Sequence, residues 1–293
     1  MSAPGQRSTE DAAMPYPTVP TLPDAVAEGL RAGTLAPYLG PGMLSLCSDA
    51  PVPADPLALA SFLNAKTSVP GKLRNKLTAV AQFIENFKHR KTLVAAMDQA
   101  YAATPTPSAL HRWIAALPAP LIVDCWYDDS LRSALAPRSD WAEVQGLSQS
   151  EHFGSWVGWT TASGAHSAEP IAAPTVLYKP WGGHAPSSNY LVSDTDYVEV
   201  LTEIDIQTPI PALVQQRRAQ LGFVFLGCRF NDQLPRAFAR QIMKRSKGLH
   251  FAVLPDPPTR MEARFLEEQG ITRIALPLAD VAERLTSAER LAA

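Results

Sequence analysis

The stretch Leu35-Ala36-Pro37-Tyr38-Leu39-Gly40-Pro41-Gly42-Met43 decides how this chain is read. A short apolar run ends in Gly-Pro-Gly, preceded by an amphipathic segment from Ala25 to Leu30 and followed by a loop rich in Pro and Asp. Two glycines around a proline let the backbone turn sharply and pass close to another group. At the carboxyl end of a strand in an open parallel sheet, that place is the crevice where nucleotides bind. An ordinary turn uses the same residues, so the reading rests on how the other strands end.

Outward from this turn, strands and helices alternate. Pro23 and Gly33 bracket a helix over about Asp24 to Ala32. Leu77, Val80, Ala81, Ile84 and Phe87 recur at helical spacing, as do Leu93, Val94, Met97 and Tyr101. Ser108 is placed to cap a helix carrying Leu110, Trp113, Ile114 and Leu117. This helical block, about Asp55 to Leu117, is too long for a simple crossover and is expected to form a lobe beside the sheet. Further strands are expected at Leu121–Val123, Thr175–Tyr178, Gly222–Gly227, His250–Leu254 and Ile271–Leu276. Residues 136 to 173, with Trp141, Trp156 and Trp159, give no assignable pattern. The alternation predicts an α/β fold, a Rossmann-type doubly wound parallel sheet with an inserted helical lobe. Residues 1–23, rich in Pro, Ser, Thr and Ala, are expected to be a disordered or extended tail, and 24–293 the domain.

Composition narrows the function classes. A chain of 293 residues with 46% hydrophobic residues can bury a substantial core. A net charge of -2 leaves no footprint for nucleic acid, so none is expected as a partner. No basic start followed by an apolar core marks a secretory signal, and no apolar run approaches the ~20 residues of a membrane span. The expectation is a cytoplasmic protein with no membrane contact. Cys47, Cys125 and Cys228 contain no Cys-x-x-Cys pair, which argues against a zinc ribbon or a disulfide framework.

Four strand ends, Gly40-Pro41-Gly42, Asp124 to Asp128, Lys179 to Gly182 and Gly227 to Asp232, carry a shared pattern. With Leu110-His111, Leu117-Pro118 and the Asp196-Tyr197 pair, their order and spacing resemble the sirtuin-like family, particularly its bacterial NAD-hydrolysing branch. The resemblance runs over roughly Asp24 to Leu278. It implies a Rossmann-type domain binding NAD, ADP-ribose or a related nucleotide. The implied site residues are Gly40, Pro41, Gly42, Trp126, Asp128, Lys179, Trp181 and Gly227, with amides of the glycine turn and the helix start after it holding phosphate oxygens.

The departures decide the activity. The family's catalytic Asn falls on Trp126 and its catalytic His on Trp181, while the flanking Tyr127, Asp128, Lys179 and Gly182 match. An indole donates one hydrogen bond and accepts none, so it replaces neither a general base nor a water-orienting amide. The four zinc cysteines of protein-deacylating sirtuins are also missing. The favoured expectation is a pseudoenzyme or sensor, in which the two tryptophans either plug the old pocket or stack on a flat ring. One alternative is an active NAD hydrolase with His184 or Asp128 as replacement base. Another is a structural or metal-carrying protein in which Cys47, Cys125 and Cys228, all placed on the carboxyl edge, converge with Asp124 on a metal or iron-sulfur cluster. A protein partner or a homo-oligomer is compatible with each.

Overall fold

The computed structural model describes residues 16–206 and 210–290. The expected tail of residues 1–15 lies outside the described residues. Its expected continuation does not run free: Tyr16 is buried and Thr18–Val19 form strand β1. Helix α1 (Asp24–Arg31) leads to β2 (Leu35–Leu39) and a single 3-10 turn at Pro41–Leu46. Helices α2 (Pro56–Lys66), α3 (Leu77–Lys88), α4 (Arg90–Tyr101) and α5 (Ala109–Ala116) precede β3 (Leu121–Asp124) and α6 (Ser130–Leu135). Then come β4 (Trp141–Gly146), β5 (Val157–Thr161), β6 (His166–Ser167), β7 (Thr175–Lys179), β8 (Gly182–Gly183) and β9 (Asn189–Tyr190). The remainder is α7 (Asp194–Ile206), α8 (Ala212–Arg218), β10 (Gly222–Leu226), α9 (Gln233–Met243), β11 (His250–Val253), α10 (Arg260–Glu268), β12 (Ile271–Ile274) and α11 (Leu278–Arg290).

Ten of these strands form one mixed, mostly parallel sheet in the order β1-β12-β11-β10-β2-β3-β7-β4-β5-β6. Its antiparallel pairings are β4–β5 and β5–β6, at one edge. The central strands are buried on both sides and their residues alternate between two cores. Ala36, Tyr38, Phe223, Phe225, Val123 and Tyr178 enter one core, whereas Leu35, Leu39, Val224, Leu226, Ile122 and Leu177 enter the other. Helices α1, α5, α6 and α11 cover the second face; α2, α3, α4, α9 and α10 contribute to the first.

Two local features explain why this sequence tolerates such a sheet. Pro37 sits in a central strand, where a missing donor usually breaks a ladder. The Leu39 carbonyl accepts from the Cys125 amide, so alternate residues, Pro37 included, turn toward β3. The β2–β3 register begins only at Tyr38 and Val123, so the missing donor falls at the start of that pairing and not in its middle. Helix starts are fixed by side chains: Asp55 accepts from the Leu57 and Ala58 amides at 2.8 Å. Thr259 and Glu262 form a reciprocal capping box.

The expected lobe divides at its last helix. α2, α3 and α4 share the first core with the sheet, while α5 places Leu110, Trp113 and Ile114 in the second. α5 is therefore the crossover into β3, and the inserted part ends with α4. The unassigned stretch 136–173 contains β4, fully buried between β7 and β5, and the antiparallel edge.

Candidate functional site

The glycine turn after β2 meets the turn after β10. The Gly40 amide donates to the Leu226 carbonyl and the Gly42 amide to the Gly227 carbonyl, both at 2.9 Å. A methyl group on Gly40 would lie 2.6 Å from the Gly227 oxygen and 2.8 Å from the Cys228 sulfur. On Gly42 it would lie 2.8 Å from that same oxygen, and Gly227 itself has φ +66°. The glycines therefore let two backbones touch. This contact takes up the Gly42 amide that was expected to hold phosphate; Pro41 has none, and the Met43 amide donates to the Gly40 carbonyl. Pro41, Gly42 and Gly227 remain half-buried and form a rim.

Behind the rim the strand ends carry aromatic rings. Trp126 is 1% exposed and donates from Nε1 to the Pro53 carbonyl at 2.9 Å. Its ring lies 5.0 Å from Tyr127 and meets Tyr101 edge-on. Trp181 is buried, edge-on to both Tyr197 and Phe238, and its Nε1 has no hydrogen-bond partner. Tyr127 joins the two halves: its ring contacts Trp181 and Tyr190, and its hydroxyl donates to the Leu191 carbonyl at 2.7 Å. Centroid separations of 5.0 to 6.5 Å are those of packed aromatic pairs. Beside this cluster, between Tyr178, Pro180, Leu191 and Phe238, lies a cavity of about 10 Å³, room for a single water. A larger groove of about 330 Å³ opens among Asp140, Trp141, Thr161 and Ile171. It lies at the amino ends of β4 and β7, the wrong edge for a doubly wound site.

The charged groups lock the same strand ends. Lys179 Nζ, at the end of β7, donates to Asp124 Oδ2 at 2.7 Å and to the Asp128 carbonyl at 2.9 Å. Burial pulls the ammonium's pKa down, but Asp124, Asp128 and Glu143 more than reverse this, and the net shift is upward. Burial pushes Asp124 up to about 6 against the pull of Lys179. Asp129 and Glu143 are raised for the same reason, burial, with Lys179 opposing in both cases and Arg132 also opposing at Glu143. Asp128 accepts from the Ser130 amide at 2.9 Å, a loop-holding role. The structure thus brings Trp126, Asp128, Lys179 and Trp181 together as a packed block whose ionic groups are paired.

His184 faces Tyr190 and Asp98. Its Nδ1 lies 3.1 Å from the Tyr190 hydroxyl and 3.5 Å from Asp98 of α4, and Tyr190 itself donates to Asp98 at 2.7 Å. The cysteines separate. Cys125 and Cys228 lie buried around Tyr38, while Cys47 faces Ser108 and Ser130 with Asp128 nearby. Burial raises the thiol pKa of all three. Among the described residues no group of three or more His, Cys, Asp or Glu side chains is arranged to hold a metal ion, so the converging-cysteine alternative is set aside. Asp232 caps α9 by accepting from the Leu234 amide.

An open, mostly parallel sheet wound on both faces, with glycine turns meeting at its carboxyl edge, defines a Rossmann-type nucleotide-binding class of domain. Residues 120–274 match the SIR2-like domain, and the chain belongs to that family. No curated protein matches the chain. No helix among the described residues is long and apolar enough to cross a membrane.

Sequence reasoning missed several partners of the site. Tyr101, Tyr190 and Phe238 complete the aromatic block, and their only sequence signal is large aromatics at core-facing helical or strand positions. Arg90 was missed too: its guanidinium donates to Asp196 at 2.8 Å and pairs with Glu85 and Glu151.

Proposed function

We propose that this chain is a nucleotide-binding member of its family that does not cleave NAD. NAD or ADP-ribose would meet the half-buried rim at Pro41, Gly42 and Gly227, while the half of the site that would receive the nicotinamide ribose is filled. The observation carrying this reading is the packing of Trp126 and Trp181 into one aromatic block. Neither indole can accept a proton, and the imidazole nearest among the described residues, His184, is turned to the Tyr190 hydroxyl and Asp98. The buried half does not fit a nicotinamide riboside, and no cleavage step is derived from it. Lys179 and Asp128 then serve as scaffold for the loop and not as ligand contacts.

The test is calorimetric titration of the full chain with NAD and with ADP-ribose, with nicotinamide release assayed on the same samples. Saturable heat with both ligands and no nicotinamide is expected. Pro41→Trp, which leaves the Gly42–Gly227 contact intact, should abolish the heat without lowering the melting temperature. Nicotinamide release, or no heat with either ligand, overturns the proposal.

A further inference from the structure

Of the three thiols, Cys47 is the one that a small solute can reach. Cys125 and Cys228 are 3% and 7% exposed and packed around Tyr38. Cys47 is half-buried and is followed by the exposed Ser48 and Asp49. It closes the 3-10 turn that begins after Gly40, with its amide donating to the Leu44 carbonyl. The turn fixes its backbone, and its sulfur faces the first residues of two helices, α5 and α6.

Two donors meet that sulfur: the amide of Ser108, the N-cap of α5, and the hydroxyl of Ser130, the first residue of α6. They are not equivalent. The Ser108 amide also reaches His111 Nδ1 at 3.3 Å, and the Ser108 hydroxyl lies 2.8 Å from the same nitrogen. Ser130 is 1% exposed and its amide donates to Asp128 at 2.9 Å, yet its hydroxyl has no nitrogen or oxygen partner among the described residues. A buried hydroxyl in that position has lost water and gained little, because a thiol sulfur is a weak acceptor. An oxygen carried on the sulfur is a strong acceptor and would complete Ser130 with no movement of the backbone. Burial and then Asp128 raise the thiol's pKa, while the two donors oppose them. The reduced thiol is therefore mostly protonated and slow to react, and the surroundings favour its oxygenated product more than its rate of attack.

We propose that Cys47 is an oxidation site whose product, a sulfenic acid, is held by the Ser130 hydroxyl and the Ser108 amide. The co-reactant is a hydroperoxide. The sulfur attacks one peroxide oxygen, the S–O bond forms as the O–O bond breaks, and the thiol proton leaves with the departing oxygen as water or an alcohol. Sulfur gives up two electrons and the peroxide takes them. The other two thiols are packed around Tyr38, so the sulfenic acid has no thiol of this chain beside it to condense with. It persists until a small thiol from solution reaches it and forms a mixed disulfide. Neither the reaction nor its product requires a bound nucleotide.

The experiment treats the folded full chain with hydrogen peroxide, removes the peroxide and adds dimedone, which captures sulfenic acids, before peptide masses are read. Circular dichroism is the folding control. The wild-type chain should carry a single dimedone adduct, on Cys47, with Cys125 and Cys228 reacting only after unfolding. Cys47→Ser should carry none while folded. When dimedone is added after increasing delays, Ser130→Ala should show a sulfenic acid about fivefold shorter-lived than that of wild type, the effect of losing one hydrogen bond. Alkylation of its unoxidised Cys47 by iodoacetamide should be unchanged, which separates loss of the receiving hydroxyl from a change in access. No adduct on Cys47 in the folded wild-type chain overturns the proposal, and so do adducts spread over all three cysteines. A folded Ser130→Ala chain whose sulfenic acid lives as long as that of wild type overturns it too.

Discussion

Replacing Lys179 by Met tests whether the ionic block is what holds the strand ends. The side chain is 1% exposed and its ammonium donates to Asp124 and to the Asp128 carbonyl. Met has nearly the length and none of the charge, so packing is kept while Asp124 is left buried with no cation on it. Removing one member of a buried pair costs about 3–5 kcal/mol. At roughly 2–4 °C per kcal/mol for domains of this order of size, the melting temperature should fall by on the order of 10 °C. The loss should depend on pH with a definite sign. In the wild-type chain burial already raises Asp124 to about 6, with Lys179 opposing. Without Lys179 the folded-state pKa rises further above the unfolded value of about 3.9, so the folded chain binds the extra proton. Stability then increases as pH falls toward the unfolded value, and the deficit against wild type is largest near pH 8 and smaller near pH 5.5. Lys179→Met/Asp124→Leu, with both charges gone, should recover most of the loss. Denaturant unfolding at the two pH values is the assay. A single variant within about 1 kcal/mol of wild type, or a deficit equal at both pH values, refutes the reasoning.

Two further outcomes follow from the geometry. Gly227→Ala strains a φ of +66° and also drives a methyl to 2.5 Å from the Met43 nitrogen, whereas Gly154→Ala strains a φ of +83° in open space. The first should therefore cost more than the ~1 kcal/mol expected of the second, and equal unfolding midpoints would show that the two turns do not touch. Burial lowers the pKa of His111 from 6.5 to about 4 and also lowers that of His250. His250 takes the Phe223 amide on Nδ1 and lies 3.1 Å from the Ser246 hydroxyl through Nε2, an arrangement only the neutral ring completes. His111 contributes stability that is present above pH 6.5 and lost as pH falls toward 4, and His250 acts in the same direction, so denaturant midpoints should drop from pH 7.5 to 5 and His111→Gln should flatten the slope.

The central sheet was legible because a parallel strand covered on both faces is a continuous apolar run, as in Gly222–Leu226. The edge was not. β5 and β6 are antiparallel, partly exposed and include His166 and Ser167, so neither a run nor a clean alternation marks them. β1 has two residues and exists through its pairing with β12, which no local signal announces. At the site, residue types were readable but their partners were not. Gly40 and Gly42 read as room for a ligand, yet room is defined by what fills it, and Gly227 and Cys228 from a distant strand fill it. For Lys179, sequence shows the charge and not its burial against Asp124 and the Asp128 carbonyl. The three cysteines share a sheet edge, but only Cys125 and Cys228 come together, around Tyr38, while Cys47 lies against Ser108 and Ser130.

The aromatic block and the ionic block form one device. Lys179 pins the loop after β3 to the end of β7, and those segments carry Trp126 and Tyr127 on one side and Trp181 on the other. A site that cleaves a sugar bond must keep polar groups unpaired and a pocket open before substrate arrives, and both reduce stability. Here the volume is spent on packed rings: Trp126 reaches the Pro53 carbonyl, Tyr127 the Leu191 carbonyl, and Trp181 wedges between Tyr197 and Phe238. Replacing Trp126 by Asn and Trp181 by His would open voids worth about 3–5 kcal/mol each and leave new polar atoms among the rings of Tyr101, Tyr197 and Phe238. Trp126 and Trp181 are thus embedded in their surroundings, and their packing is a property of the whole core beneath them and not of two side chains.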